Sequence, residues 1–551
     1  MIACAVFFSF GALYCGGATA SNSPGGASGA TASSPASSGS PGISIPYPTD
    51  VLTYHYNYYR QGYTNQETTL TPSNVNYNTF GKINFLPTDG KVDGQPLFVN
   101  KQFIDGSLSD TVYIVTENDS VYAYSASSGR EFWRTSALES GETPSDDHGC
   151  SQIAPQIGIT DTPVIDKQAG PHGAIFFVAM TKDSSGNYHQ RLHALDLTFG
   201  TELFGGPTEI QAMYPGTGDG SQNGYVVFNP GQFAERAGIL EYGTTLYITF
   251  TSHCDERPYT GWIMAYSARN LTQTSVIDVT PNGNEGSVWM AGGGLAADET
   301  GNIYFLDANG TFDTTLNSQG FPINGDYGNA FMKLSTSGGQ LAVSDYFNMY
   351  NTVQESDADE DLGSGGVVVL PDIYDNNGGV HHLAVGAGKD TNIYVVNRDN
   401  MGKWNSSNNN QIYQELHGAL PGGVWSSPAY FNNTVYYGDV SDNLKAYAIS
   451  NAMLSTSPTS QTTTSFEFPG TTPTISANQN SNAIVWAVEN SSPAVLHAYN
   501  ASNLAQELYN SNQAGSRDQF GPGNKYITPV IANGKVFVGT QTGVAVFGLL
   551  N

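Results

Sequence analysis

The chain has 551 residues, only 12% of them charged and 12% aromatic, with 63 glycines and a formal net charge of −28. So few charges, with so many Gly, Asn, Ser, Thr, Tyr and Val residues, suit short strands and tight turns and argue against a helical protein. Twenty Lys and Arg spread along such an acidic chain exclude a basic nucleic-acid-binding face.

The chain opens on an apolar run, Ile2 to Tyr14, too short to span a membrane and of the length of a signal-peptide core. Cys15 with Gly16-Gly17 has the look of a lipoprotein acylation site, although Tyr14 stands where such sites take a small residue. Residues 1–15 are therefore expected to be a signal peptide or lipoprotein signal. Residues 16–49, rich in Gly, Ser, Ala and Pro, are expected to be a flexible linker. Export to an extracytoplasmic place follows: secreted, periplasmic or attached to a cell surface, with a lipid anchor as one option and no later transmembrane helix. Of four cysteines, Cys150 and Cys254 fall in the folded part. They form either a disulfide, as an exported chain permits, or two separate thiols.

From about residue 95 onward one unit recurs: a small residue, an apolar strand, a strand ending in an aromatic, a polar turn, and a strand shaped apolar-x-Ala-Tyr or Leu. The clearest copy runs from Val112-Tyr113 through Val121-Tyr122-Ala123-Tyr124 and Gly129 to Trp133. Further copies end at Leu195-Asp196, Ala265-Tyr266, Lys333-Leu334, Val395-Val396, Ala446-Tyr447, Ala498-Tyr499 and Val546-Phe547. Eight such copies predict an all-β fold over residues 50–551: one closed β-propeller of eight four-stranded blades. One blade alone buries too little, so the ring must close. The last copy stops short of an outermost strand, and Lys82 to Leu86 is expected to supply it, hiding the free edges. An array of sandwiches would not explain the regular Ala-Tyr strand ends.

The unit from Val112 to Trp133 resembles the repeat of pyrroloquinoline quinone (PQQ) propellers, the superfamily of quinoprotein alcohol dehydrogenases and their non-enzymatic relatives. Three stretches resemble the dehydrogenase site segments. Asn302 to Gly310 resembles the strand and turn whose Asn ligates calcium, which points to Asn309. Asp359 to Gly363 resembles the segment with the catalytic base, which points to Asp361 and secondarily Asp359. Gly388 to Arg398 resembles the strand pair whose cation contacts the quinone, which points to Lys389. Gly422 to Tyr430 resembles the inner strand of a later blade and adds Trp425 as a cofactor contact. The resemblance thus implies a PQQ and calcium site with Asn309 and Asp361 at the metal. There are departures: no Cys-Cys pair, no matching Glu ligand, Trp289 ahead of the Gly292-Gly293-Gly294 run, and no haem attachment motif.

Other candidates lie outside those segments. Glu355 to Asp361 is the densest acidic run; it opens like a calcium loop but lacks the spacing of an EF-hand, so a solvated loop competes with a cation site. Asp146 to Cys150 and Ser252 to Asp255 are polar clusters in inserts expected at the funnel mouth. If Cys150 bonds Cys254, His148 and His253 come together, with Asp255 beside them; ordinary loop polars around a structural disulfide are the simpler reading. The departures favour a ligand- or partner-binding module with a degenerate quinoprotein site, taking a glycan, small molecule or protein at its funnel or rim. A divergent PQQ- and calcium-dependent alcohol or sugar dehydrogenase is the alternative, and a self-associating surface protein the third.

Overall fold

The middle strands explain the architecture. Ala174–Lys182 has eight buried residues in nine, and Ser120–Ser125 is buried throughout. Strands so apolar on both faces must be covered on both faces, which stacked sheets achieve and a solvent-facing sheet does not. The outer strand Glu131–Ser136 has no buried residue and carries the polar surface.

The computed structural model describes residues 49–550; the expected signal segment and nearly all of the expected linker lie outside them. The described chain is an eight-bladed β-propeller. Each blade is built on a four-stranded antiparallel sheet. Blades 1 to 7 span residues 97–136, 164–209, 240–278, 296–347, 367–416, 429–466 and 474–510. Blade 8 takes three strands from residues 530–549 and its outermost strand, Phe80–Pro87, from the other end of the chain. The register pairs Phe80 with Leu549 and Pro87 with Gly543, so the expected Lys82–Leu86 closure is the observed one. Phe80 seals it by packing on Tyr509, Trp486 and Phe547 with ring centroids 5.0, 5.5 and 6.3 Å apart. Among the described residues no helix is long and apolar enough to cross a membrane.

A segment with no repeat character, residues 51–64, crosses the middle of the ring and bonds to every blade. Val51 pairs with Phe98 of blade 1, and the Leu52 carbonyl accepts from Ile165 N of blade 2. The carbonyls of Tyr58, Tyr59, Gln61 and Gly62 accept from Ala297, Val369, Tyr430 and Ile475 of blades 4 to 7. Ile531 N of blade 8 donates to the Tyr56 hydroxyl. Arg60, fully buried, reaches blade 3 through Nη2 to the Ile239 carbonyl at 3.2 Å. Its Nε donates to the Leu295 carbonyl at 2.7 Å and its Nη1 to Thr53 Oγ1 and the Tyr54 carbonyl. Burial lowers Arg60 to about 9, and it lowers the fully buried His55 to about 3, so His55 is neutral. His55, Tyr56 and Arg60 hold positive φ, a conformation that persists only where surrounding structure over-determines it.

Replacing Arg60 by Met keeps the bulk and strips the donors from three buried carbonyls, each orphaned group costing roughly 1–3 kcal/mol. Arg60→Met is therefore expected to lower stability by at least about 3 kcal/mol, read as an earlier midpoint in chemical unfolding. A midpoint equal to wild type would show that the strap does not hold the ring.

Candidate functional site

In a propeller with this strand order, the connection from one blade's outer strand to the next blade's inner strand lies at the same end of the ring as the turn between its two middle strands. These segments enclose a cavity of about 250 Å³. Asn309 lies just beyond the second strand of blade 4, Ile303–Leu306. Asp359 and Asp361 lie on the connection into blade 5, after the short helix Thr352–Asp357. Lys389 is in the turn between Leu383–Ala387 and Ile393–Asn397. Trp425 stands ahead of Ala429–Phe431, the inner strand of blade 6. All five line the one cavity.

At one end of the cavity the ammonium of Lys389 lies 2.5 Å from Asp359 Oδ1 and 2.6 Å from Asp361 Oδ1. Asn309 Nδ2 donates to Asp359 Oδ1 at 2.8 Å, while its Oδ1 is buried without a partner. Asp361 is 1% exposed, and apart from Lys389 neither of its oxygens has a hydrogen-bond partner. Burial raises its carboxyl to about 6 against the pull of Lys389. Burial works against the Lys389 charge, but Asp361 and Asp359 outweigh it and hold the amine above the ordinary lysine value. The acidic run is thus no simple solvated loop: part is helical, and Glu355 and Asp361 are buried.

A second part of the cavity is cationic and has no counterpart among the sequence candidates. Arg236 and Lys525 line it together with Tyr526 and Trp289. The Arg236 guanidinium lies over the Tyr526 ring at 5.3 Å, and Trp289 meets Tyr526 edge-on at 5.9 Å. Behind them are buried carboxyls that ought to cancel this charge. Burial raises Glu117 to about 10, with Asp93 adding to it and despite Lys91 at 3.8 Å. Burial also raises Asp161 to about 8 and pushes Glu235 well above the carboxylate range. Burial thus disfavours the ionised form of each of these carboxyls, which weakens their compensation of the cationic groups. Lys525 is lowered by burial and by Arg236 beside it. Arg236 and Tyr526, like Trp425, stand just ahead of an inner strand, and that shared position was the one signal in the sequence that could have found them.

One wall is made of the two inserts. A disulfide joins Cys150 to Cys254 across 104 residues. His148 and His253 stack with centroids 4.1 Å apart, and Tyr188 covers His148 from 4.4 Å. Burial, with His148 beside it, lowers His253 to about 4, and its Nε2 has no partner. Burial also lowers His148, whose Nε2 lies 3.1 Å from Ser145 Oγ. Asp255 lines the cavity but accepts from Ser252 Oγ and the Tyr259 hydroxyl through Oδ1. His148, Ser151, Cys254 and Asp255 all have positive φ, so both inserts are held in conformations non-glycine residues avoid. Across the mouth, Phe468 meets Trp425 at 5.8 Å, and Lys389 lies 5.9 Å over Trp425.

No family model matches the chain, and no curated protein matches it. Solved structures do share its fold. Quinohemoprotein alcohol dehydrogenase from Comamonas testosteroni aligns over 91% of this chain and 80% of its own, with a TM-score of 0.59 at 13% identity. Quinohemoprotein alcohol dehydrogenase ADHIIG from Pseudomonas putida HK5 aligns over the same shares, with a TM-score of 0.57 at 12% identity. A europium-containing methanol dehydrogenase aligns over 92% of this chain and 99% of its own, with a TM-score of 0.59 at 11% identity. The chain has the PQQ-type eight-bladed propeller fold.

Because the disulfide ties two strained inserts to each other, Cys150→Ser with Cys254→Ser is expected to speed hydrogen exchange in residues 147–153 and 251–256. Protection of the blade strands should be unchanged. Uniform loss of protection would instead make the bond a support of the whole ring.

Proposed function

We propose that the cavity binds a planar, anionic quinone of the PQQ type and that the protein is a dehydrogenase of small alcohols or sugars, with Asp361 as the base. One observation carries this reading: Asn309, Asp361 and Lys389, far apart in sequence, converge on one cavity that also holds two further cations and two tryptophans. Three of the chain's 20 Lys and Arg residues gather there in a protein of net charge −28. Such a concentration, flanked by the flat faces of Trp289, Trp425 and Tyr526, suits an aromatic polyanion.

The donor set fits the quinone better than it fits calcium. Calcium takes six to eight oxygen ligands. Among the described residues no three His, Cys, Asp or Glu side chains come close enough to hold a metal. The Lys389 ammonium already bridges the two carboxylates a metal would need.

When bound, such a quinone supplies the two-electron acceptor. The chain's residues supply the rest. Asp361, with its carboxyl at about 6, is a carboxylate at neutral pH and basic enough to take a hydroxyl proton. Lys389 stabilises that carboxylate and restrains its position. Arg236 and Lys525 hold the anionic ligand from the cationic part, and the disulfide-tied inserts keep the wall in place. The disulfide also supports an oxidising, extracytoplasmic location. A second reading, a binding module that holds an anionic ligand without turnover, is favoured by the absence of a Cys-Cys pair and by the tight Lys389–Asp361 pairing.

The test is titration of the purified chain with PQQ, followed by dye-linked oxidation of a panel of alcohols and sugars. The base acts when deprotonated, so turnover should rise with pH through about 6. Asp361→Asn should retain quinone binding and lose roughly a hundredfold or more of the rate. Arg236→Glu should weaken quinone binding. Binding without turnover on any substrate would favour the second reading, and no binding at all would refute the first.

A further inference from the structure

The position of Lys389 sets this cavity apart from a metal centre. Lys389 is joined to Asp361 twice. Its main-chain N–H donates to the Asp361 carbonyl at 2.9 Å, and its ammonium lies 2.6 Å from the carboxylate. The turn that allows this approach depends on Gly388, where a Cβ would come 2.4 Å from Leu362 Cα and 2.5 Å from the Asp361 carbonyl oxygen. The next residues reinforce it: Val424 N donates to the Gly388 carbonyl, and Gly423 packs on the Lys389 backbone. The fold thus places the Lys389 backbone against Asp361, and the two ion pairs hold its ammonium. Its ammonium gathers Asp359 from the other side, and Asn309 spends its amide donor on the same Asp359 oxygen. Among its buried oxygens, the cluster leaves without hydrogen-bond partners Asn309 Oδ1 and the Asp361 oxygen that does not face the ammonium. A divalent ion entering there would meet a fixed positive charge with too few oxygens to repay its lost water.

We infer that Lys389 takes the place of a divalent cation, so that this cavity binds its anionic ligand without a metal, the Lys–Asp–Asp–Asn cluster supplying the positive pole itself. This rests on the quinone reading for the identity of the ligand, but not for the exclusion of the ion. The residues involved divide the work. Lys389 carries the charge, Asp359 and Asn309 orient it from the mouth, and Asp361 balances it from the buried side.

The experiment uses the full chain stripped with EDTA. PQQ binding is followed by quenching of tryptophan fluorescence, to which Trp289 and Trp425 in the cavity contribute, with and without millimolar calcium. In parallel, terbium is titrated alone, and its sensitised luminescence reads cation occupancy whether or not PQQ binds. PQQ affinity is expected to agree within roughly twofold in the two conditions, with no saturable terbium signal. Lys389→Met should weaken PQQ by about tenfold or more, while Lys389→Arg, which keeps the charge if the turn tolerates it, should keep most of the affinity. Calcium tightening PQQ by more than about tenfold would overturn the inference. So would saturable terbium binding to wild type that Asp361→Asn abolishes. Quenching in neither condition would sink the quinone reading, while the terbium titration would still decide whether Lys389 excludes the ion.

Discussion

Eight wedges of sheet can pack side by side only if something fixes their inner ends, and here one strap of backbone does so. Residues 51–64 bond to the inner strands of seven blades and, through Arg60, to Ile239 at the entry of blade 3, mostly through main-chain carbonyls and amides. Its centre is Arg60, a fully buried cation answered by carbonyl oxygens and one hydroxyl instead of a carboxylate. That choice matters. Several carbonyl dipoles from different blades share the charge, so no single partner can satisfy it, and the arginine ties the strap to blade 3 and to the entry of blade 4. The cost of burying it is offset only when all these pieces are assembled.

The cavity inherits this order. Its residues stand on segments leading into inner strands, whose positions the strap sets, and on turns between middle strands. Two kinds of electrostatic arrangement then coexist within a few residues. At the Lys389 end, charges are paired closely. Near Arg236, burial raises carboxyls such as Glu235 well above their ordinary range, which weakens their compensation of the cations. An acidic protein thereby keeps a local positive pole without neutralising itself everywhere else.

Much of the fold could be read in advance because the blade's middle strands are covered on both faces and announce themselves as unbroken apolar runs. Val112 to Tyr124 and its seven relatives each carry that mark, and the missing outer strand of the last copy pointed to Lys82–Leu86. The strap carries no such mark. Its side chains, from Tyr54 to Tyr63, follow no period, because most of the bonds that position it are made by the backbone, with Arg60 and the Tyr56 hydroxyl adding the rest. The site was half legible. Asn309, Asp361, Lys389 and Trp425 sit in local stretches with a recognisable pattern. Arg236, Lys525, Tyr526 and Trp289 do not; they come from distant parts of the chain, and only the curvature of the ring brings them together. The acidic run from Glu355 to Asp361 misled in a simpler way, since composition alone does not reveal that Glu355 and Asp361 turn inward.

The strand Phe80–Pro87 is among the first folded parts of the chain to be made, yet its partner, Gly543–Leu549, is among the last. The strap has the same difficulty, since its bond to blade 8 is to Ile531. The ring therefore cannot close until residues 530–549 have been made, and seven finished blades are still an open molecule. A polypeptide threaded through a pore in extended form would lose nothing by this, because its closing contacts wait until Ile531 and Gly543–Leu549 have arrived.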